Sequence, residues 1–254
     1  MKLTHFYIIV FLYLLSGCTT LYIPSPKNIP LLEEKGEVQV EVGVSTNSIF
    51  ATGSYAFSEK YAFIANSAFS FYNFSDFSDL GDLRSYGELT ILSGGAEIAH
   101  RSVEAGFGRF NILPESKRCL EAFVGVGYSV GNFDDKDYNN RYINGFFQIN
   151  TNKKHKKLEI GWSFSCNYVY FNFKHPDYYN KKNKEEIIYS KFSLIQPGAL
   201  FFMRFGSEHL KLTIRNGINL AFPLSSNCPI KTNSFETEHT VFHISMGLCY
   251  SFKI

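Results

Sequence analysis

The 254-residue sequence lacks the short motifs that mark many enzymes and metal sites. Gly-rich phosphate loops, CxxC pairs and HExxH are all absent. The basic residues form no stripe with aromatic side chains and the formal net charge is only +2, so we expect no nucleic-acid partner. Charged residues make up 19% of the chain, below the usual ~25%. We therefore expect no metal and no cofactor.

Long hydrophobic runs are also missing beyond the N-terminus. No apolar run approaches the ~18–20 residues that a membrane-spanning helix needs. Aromatic residues are nevertheless abundant at 17%, with 26 Phe and 16 Tyr. If this chain enters a membrane, it must do so with strands.

The N-terminus has the pattern of an export signal. Lys2 precedes an apolar stretch at residues 6–15, and the run Leu15-Ser16-Gly17-Cys18 follows it. This run resembles the lipobox of bacterial lipoproteins, which implies that Cys18 becomes the acylated N-terminus of the mature chain. The alternative is an ordinary signal peptide with a chance cysteine. We predict a signal peptide at 1–17, a lipidated extended tether at 18–36 and a barrel domain at 37–254.

The other cysteines are widely spaced along the chain. Four of them allow three disulfide pairings, and the sequence alone cannot choose among these. We interpret them as mostly free thiols. They are Cys119, Cys166, Cys228 and Cys249.

Alternation of apolar and polar residues is the strongest secondary-structure signal. From residue 241 to 254 every even position is apolar, from Phe242 to Ile254, whereas the odd positions include Ser245, Gly247 and Lys253. Successive strand side chains point to opposite faces, so one face is entirely hydrophobic. The same pattern recurs at residues 38–45, 120–131, 158–170 and 209–222, and weaker strands fit at 49–58, 61–73, 102–111 and 142–151.

These segments predict about ten antiparallel strands (8–12). A long strand near 188–205 changes phase around Leu194–Ile195, and we expect a bulge at Pro197. Several strands reach the 9–11 residues that cross a bilayer, and their polar faces are rich in Gly and Ser. Short and long connections alternate after the first turn, which is typical of outer-membrane barrels. The apolar face should therefore point outward, and the fold class is an up-and-down transmembrane β-barrel.

The inward face should then hold a few charged residues of both signs. Buried charges require partners, and a barrel of this size has little open space once side chains fill it. We predict an ionic network that plugs the lumen, with a charged constriction of a channel as the alternative. Its members are Glu41, Glu104, Glu121, Glu159, Lys211 and Arg215, with His243 as a further candidate.

His243 and Ser245 are also weak catalytic candidates. Two residues apart on a strand, they share a face and could act as base and nucleophile. The pattern is similar to the His-x-Ser-Asn of outer-membrane lipid A deacylases, but Met246 stands where that motif has Asn. No acidic partner is evident nearby, so we expect ordinary lumen residues rather than catalysis.

Taken together, the chain resembles small outer-membrane β-barrel lipoproteins of Gram-negative bacteria. The features that carry this are the lipobox, residues 30–37, residues 123–131 and the closing Tyr250-Ser251-Phe252-Lys253-Ile254, although such barrels usually end in an aromatic residue. The resemblance implies outer-membrane lipid, acyl chains at Cys18 and the outer-membrane assembly machinery as partners. It also implies periplasmic termini, and acyl chains in the inner leaflet.

We expect a structural or surface-interaction role without catalysis. The alternatives are a narrow channel for small solutes, a lipid A-modifying hydrolase using His243 and Ser245, and a soluble lipocalin-like barrel. The longest external loops are expected at 74–101 and 174–187. The surface ligand cannot be inferred from the sequence.

Overall fold

The structure is a computed structural model that describes residues 26–45, 48–70, 98–113, 118–133, 139–155, 157–173, 178–179, 186–187, 191–224 and 240–254. Within these residues the chain forms a closed antiparallel barrel of ten strands, and no helix is long and apolar enough to cross a membrane. This confirms the predicted fold class. In chain order the strands are β1 (Glu37–Ser45), β2 (Ser48–Ala56), β3 (Tyr61–Ser70), β4 (Ile98–Leu113), β5 (Arg118–Phe133), β6 (Asn139–His155), β7 (Leu158–Phe173), β8 (Tyr178–Tyr179), β9 (Glu186–Ile187), β10 (Lys191–Gly206), β11 (Leu210–Leu220), β12 (Phe222–Pro223) and β13 (Thr240–Lys253). Three of these strands, β8, β9 and β12, have only two residues each and are not counted among the ten.

The barrel closes where the first and last strands pair. β1 pairs with β13 from Glu37↔Lys253 to Ser45↔Ser245, and each other wall strand pairs with its neighbours in sequence order. The two-residue strands β8 and β9 pair only with each other, and β12 extends the β11 side of the wall against β10. Among the described residues, closure gives each of the ten wall strands a partner on both sides, which suits a membrane because it offers backbone groups no water.

The two ends of the barrel differ in their connections. The strand ends on either side of residues 57–60, 114–117, 156–157 and 207–209 lie at the end where β1 begins and β13 ends, which we call the turn end. The strand ends on either side of residues 46–47, 71–97, 134–138, 174–190 and 224–239 lie at the opposite end, which we call the loop end. The predicted alternation of short and long connections is therefore present at three of the four later positions, whereas 134–138 is only one residue longer than 114–117 because β5 and β6 extend further than predicted.

The outward face of the wall is apolar, as the alternation predicts. On β5 the outward Val124 and Val126 are exposed by 55% and 66%, whereas the inward Glu121, Phe123 and Ser129 are buried. β13 repeats the pattern, with Ile244, Met246, Leu248 and Tyr250 outward. A water-soluble barrel would turn these side chains inward, so the lipocalin-like alternative is wrong.

Aromatic rings collect on the outer surface towards the turn end. Phe57, Tyr61, Phe63 and Phe107 form one group, in which the rings of Phe57 and Phe63 stack with centroids 4.7 Å apart. Elsewhere on this surface Trp162 meets Phe201 edge-on, with centroids 5.2 Å apart. Such a girdle is what a barrel places at a membrane–water interface.

The prediction for the strand near residues 188–205 was wrong in one respect. β10 pairs with β7 in unbroken register from Lys191↔Asn172 to Phe205↔Leu158, so there is neither a phase change nor a bulge at Pro197. Inward and outward residues alternate throughout, and Pro197 lies on the outward side. On the other side of β10, the pairing stops at Gly198↔Asn219 of β11 and resumes at Ile195↔Phe222 of β12, so the gap lies beside Pro197.

Several strands are also longer than predicted. β4 begins at Ile98 rather than Ser102, so residues 98–101 belong to the wall and not to the loop. β6 extends from Asn139 to His155, three residues before and four residues after the predicted segment 142–151. These ends carry Asn and Lys, which weaken the apolar pattern that sequence alone detects.

Candidate functional site in the barrel lumen

Residues 26–32 lie inside the barrel and close its lumen; we call this segment the plug. All seven residues are buried, and Ile29 and Leu32 have no exposed surface. The sequence predicted an extended tether outside the barrel for this stretch. The structure therefore corrects the position of residues 26–32.

Apolar side chains of the plug form two small cores with the wall. Leu32 packs in a cluster with Phe110 and Phe123, and Ile29 and Leu31 pack with Phe202. Burial of each such side chain stabilises the plugged state by about 1.5–3 kcal/mol. The inward Phe residues thus have an apolar partner, which explains why a lumen expected to be polar contains them.

The backbone of the plug is hydrogen-bonded to wall side chains. The Leu32 N–H donates to Glu121 Oε1 at 2.9 Å, and Gln148 Nε2 donates to the Asn28 carbonyl at 2.6 Å. Arg204 donates to the carbonyls of Ile29 and Pro30. A strand-like segment without a neighbouring strand needs such partners, because unpaired buried backbone groups are costly.

Lys27 brings a positive charge to the middle of the lumen. Its Nζ lies 3.7 Å from Glu104 Oε1, donates to Asn167 Oδ1 at 2.9 Å and stands 4.9 Å from the centre of the Phe146 ring. Asn66 and Asn144 also donate to the Glu104 carboxylate. The plug thereby supplies the counter-charge for a wall carboxylate.

The transition from the plug to β1 depends on two unusual backbone positions. Leu31 has φ +55°, a left-handed conformation that costs a bulky residue about 1–3 kcal/mol and that its burial offsets. Gly36 has φ +83°, and a Cβ there would lie 2.6 Å from the Ile254 carbonyl oxygen. Gly36 also donates to Ala56 and accepts from Ile254, so the reversal of the chain joins β2 and β13.

Further ion pairs join four wall strands beside the plug, and Arg204 links them to it. Glu41 Oε2 lies 2.5 Å from Arg215 Nη2 and 3.4 Å from Arg204 Nη2, so two cations share one carboxylate. Lys211 pairs with Glu159 at 2.7 Å. All of these side chains are buried or nearly so, where low dielectric makes each pairing strong and each loss costly.

The structure places all six predicted lumen residues on the inward face. Glu41, Glu159, Lys211 and Arg215 are paired within the wall, whereas Glu104 and Glu121 interact with the plug. Sequence reasoning missed Arg204 and Lys27. The assumed phase change in β10 hid the inward position of Arg204, and Lys27 lies in a segment with no periodicity to interpret.

His243 and Ser245 share the inward face of β13 nearer the loop end. Ser245 is 2% exposed and is directly paired with Arg215 of β11. Neither the His243 ring nitrogens nor Ser245 Oγ has a hydrogen-bond partner among the described residues, so the two make no base–nucleophile contact. The pair faces the lumen, away from the lipid-facing surface where an acylated substrate would lie.

Near the loop end, part of the inner wall is hydrophobic. Phe171 and Phe192 stack with centroids 4.5 Å apart, and Tyr142 tilts against Phe171. Val169, Leu194 and Ala221 complete this cluster, which lies on β6, β7 and β10 and on the residue between β11 and β12. It is separate from the two clusters that hold the plug.

Cys119, Cys166 and Cys249 are free thiols. In the part of the chain that the structure describes, no three His, Cys, Asp or Glu side chains are placed to hold a metal. Cys18, Cys228 and most of the predicted loops at 74–101 and 174–187 lie outside the described residues.

No protein-family model and no curated protein matches this chain. Solved structures that it matches include OmpT, an outer membrane protein of Vibrio cholerae, in a loop-deletion form at 10% identity, with 85% of this chain and 97% of that chain covered and a TM-score of 0.25. CarO of Acinetobacter baumannii matches at 7% identity, with 89% and 100% covered and a TM-score of 0.30. Likenesses this distant leave the function to be argued from the chain itself.

Proposed function

We propose that this protein is an outer-membrane β-barrel lipoprotein whose lumen is sealed by its own N-terminal segment. Its role is structural or interactive at the cell surface, without catalysis. The plug is the observation that carries this proposal, because it fills the lumen with buried side chains and uses the charges that would otherwise line a pore. The outward apolar face of the ten strands supports residence in a membrane.

The outer membrane is the membrane in which closed barrels with short turns and long loops occur. In this proposal the turn end faces the periplasm and the loop end faces outward, with the assembly machinery inserting the chain. The test is the solubility of a signal-less Cys18→Ser variant. We expect folding only with detergent or lipid; a folded, monomeric protein in buffer alone would contradict membrane residence.

A narrow channel is the competing function, and the plug makes it testable. We expect no conductance steps from the full chain in planar bilayers. A variant with Ile29, Leu31 and Leu32 all replaced by Ser loses the apolar contacts of the plug and should conduct intermittently. Val126→Ser, on the outer face, is the matched control. Steady conductance by the unaltered protein would favour the channel instead.

A lipid A hydrolase is the other alternative. Expression of the protein should leave lipid A acylation unchanged, because His243 and Ser245 face the lumen and make no hydrogen bond with each other. Altered acylation that disappears in His243→Ala would overturn the non-catalytic role.

The direction of the plug bears on the lipid anchor. Traced back from Gly36 at the turn end, the chain rises to Lys27, which contacts Glu104 and Asn167 midway along their strands. Cys18 precedes Pro26 by a stretch that can span at most roughly 28 Å when extended. The remaining rise to the loop end is about 15 Å for strands of this tilt. We propose that acyl chains at Cys18 enter the membrane at the loop end, not in the inner leaflet.

An epitope tag placed directly after Thr20 tests the position of the anchor. Antibody binding to intact cells is expected, whereas a tag at 207–209 should be detected only after permeabilisation. Incorporation of labelled palmitate, lost in Cys18→Ser, tests lipidation separately. If the N-terminal tag is detected only after permeabilisation, the anchor lies in the inner leaflet.

A further inference from the structure

Three basic residues stand at one register position on the outer surface of the barrel. Arg101 of β4 pairs with Val130 of β5, which pairs with Arg141 of β6. Arg141 pairs with Asn172 of β7, which pairs with Lys191 of β10. We call Arg101, Arg141 and Lys191 the cationic row. Because neighbouring strands lie about 4.8 Å apart, successive cations are about 10 Å apart and the row spans about 20 Å.

The cationic row points away from the lumen. Each of its residues is exposed, and the next residue along each strand, Ser102, Tyr142 or Phe192, is buried inside. None of the three cations forms a salt bridge with the described residues. Their charges are therefore directed outward without a partner from the wall.

The row also marks a boundary on the outer surface. Two residues nearer the turn end, the same strands carry Val103, Tyr128, Ile143 and Tyr170, all of them exposed. The cations lie close to the loop ends of their strands, since β4 begins at Ile98, β6 at Asn139 and β10 at Lys191 itself. Positive charge directly beyond an apolar surface is the arrangement that a lipid with an anionic headgroup would match.

We propose that the cationic row binds the phosphate groups of a multiply phosphorylated glycolipid in the leaflet at the loop end. Arginine guanidinium groups bind phosphate through paired, charge-assisted hydrogen bonds. Cations spaced about 10 Å apart suit a headgroup with more than one phosphate, whereas an ordinary glycerophospholipid presents one. Asn172, between Arg141 and Lys191, adds an amide that can bind a sugar hydroxyl or a phosphate. The acyl chains lie along the apolar surface below.

This inference rests on the proposed membrane insertion, and the chain offers a matched control. Arg118 of β5 and Lys153 of β6 are paired with each other and are exposed on the same outer surface, but at the turn end. Neither forms a salt bridge with the described residues. Removing these two charges applies the same chemistry to β5 and β6, in the same part of the wall, but in the opposite leaflet.

The test is binding of bisphosphorylated lipid A to the full chain in phosphatidylcholine nanodiscs, counted by native mass spectrometry. Dephosphorylated lipid A and phosphatidylglycerol serve as comparison probes. Each cation near an anionic membrane surface contributes a free energy equivalent to about a fivefold change in affinity. The triple variant Arg101→Gln, Arg141→Gln, Lys191→Gln should bind lipid A roughly a hundredfold more weakly. Arg118→Gln, Lys153→Gln should bind within about twofold of the unaltered protein.

Equal loss in the two variants, or equal binding of lipid A and phosphatidylglycerol, would overturn the inference. So would unchanged lipid A binding by the triple variant. Failure of the proposed function has a different outcome, because a chain that does not enter membranes would not appear in the nanodiscs at all. The cations lie at exposed outer positions, so the triple variant should retain the folded barrel, as judged by migration of unheated and heated samples on a gel.

Discussion

The outer and inner faces of the barrel wall consist of alternate residues of the same strands, yet they differ in what each residue requires. On the outer face Val124 and Val126 are each more than half exposed, and another hydrocarbon side chain would serve as well. On the inner face Glu41 is placed between Arg204 and Arg215, and Glu121 accepts the Leu32 N–H. The outer face therefore requires only hydrocarbon side chains, whereas the charged residues of the inner face each require a specific partner.

The difference arises from the directionality of the forces. Hydrophobic transfer is roughly proportional to area and has no preferred direction. A buried carboxylate or guanidinium group is tolerated only when specific atoms stand at hydrogen-bond distance. Substitutions on the two faces should therefore have different consequences.

The largest effect is expected from Glu41→Ala. Removal of this carboxylate leaves two buried arginines without their shared counter-charge, which should lower the free energy of unfolding by about 3–5 kcal/mol. This loss in the free energy of unfolding is measured by denaturant unfolding of the refolded barrel in lipid vesicles. Glu41→Gln, which keeps the shape, separates charge from packing. A loss below about 1 kcal/mol would mean that the inner face does not depend on this pairing.

A somewhat smaller effect is expected from Val126→Arg, in the middle of β5 on the outer face. If that face contacts hydrocarbon, the charge should lower the free energy of unfolding in vesicles by about 2–4 kcal/mol. Val126→Ile is the control and should be nearly neutral. An arginine tolerated as well as isoleucine would show that the outer face does not meet the acyl chains.

The smallest effect is expected where an ion pair is exposed. Lys253 and Glu34 lie 2.7 Å apart at the turn end, but each is more than half exposed to solvent. Lys253→Gln should change the free energy of unfolding by no more than about 1 kcal/mol, and less in high salt. This change in the free energy of unfolding is measured by the same denaturant unfolding in lipid vesicles. A loss as large as that of Glu41→Ala would remove the distinction between buried and exposed pairs.

The outer face could be predicted almost completely from the sequence. Period-two alternation in β1, β5, β7, β11 and β13 gave the strands, since every second residue shares a face. Strand length, the Gly- and Ser-rich polar faces and the alternating connection lengths then gave the side that points outward. Prediction was weaker where inward positions are themselves apolar, as at Phe192, Leu194 and Phe202 of β10. Apolar residues on both faces conceal the period, and Pro197 then suggested a bulge that does not exist.

The plug could not have been predicted in this way. Its residues have neither the period of a strand nor that of a helix, and its prolines are typical of a tether. Only the contacts with Glu104, Glu121 and Arg204, which lie on distant parts of the chain, show that it belongs in the lumen. The sequence was enough to recognise the inward charges as a set. It was not enough to predict which of them pair within the wall and which interact with the plug.

The amino-acid sequence by itself determined the strands, their number and the hydrophobic outer surface, because these follow from local alternation and need no knowledge of distant residues. Only the tertiary structure decided that the lumen is closed, which charges meet there and that three cations align across five strands. Those features depend on strand register and on contacts between residues far apart in the chain, and both are set only when the barrel closes.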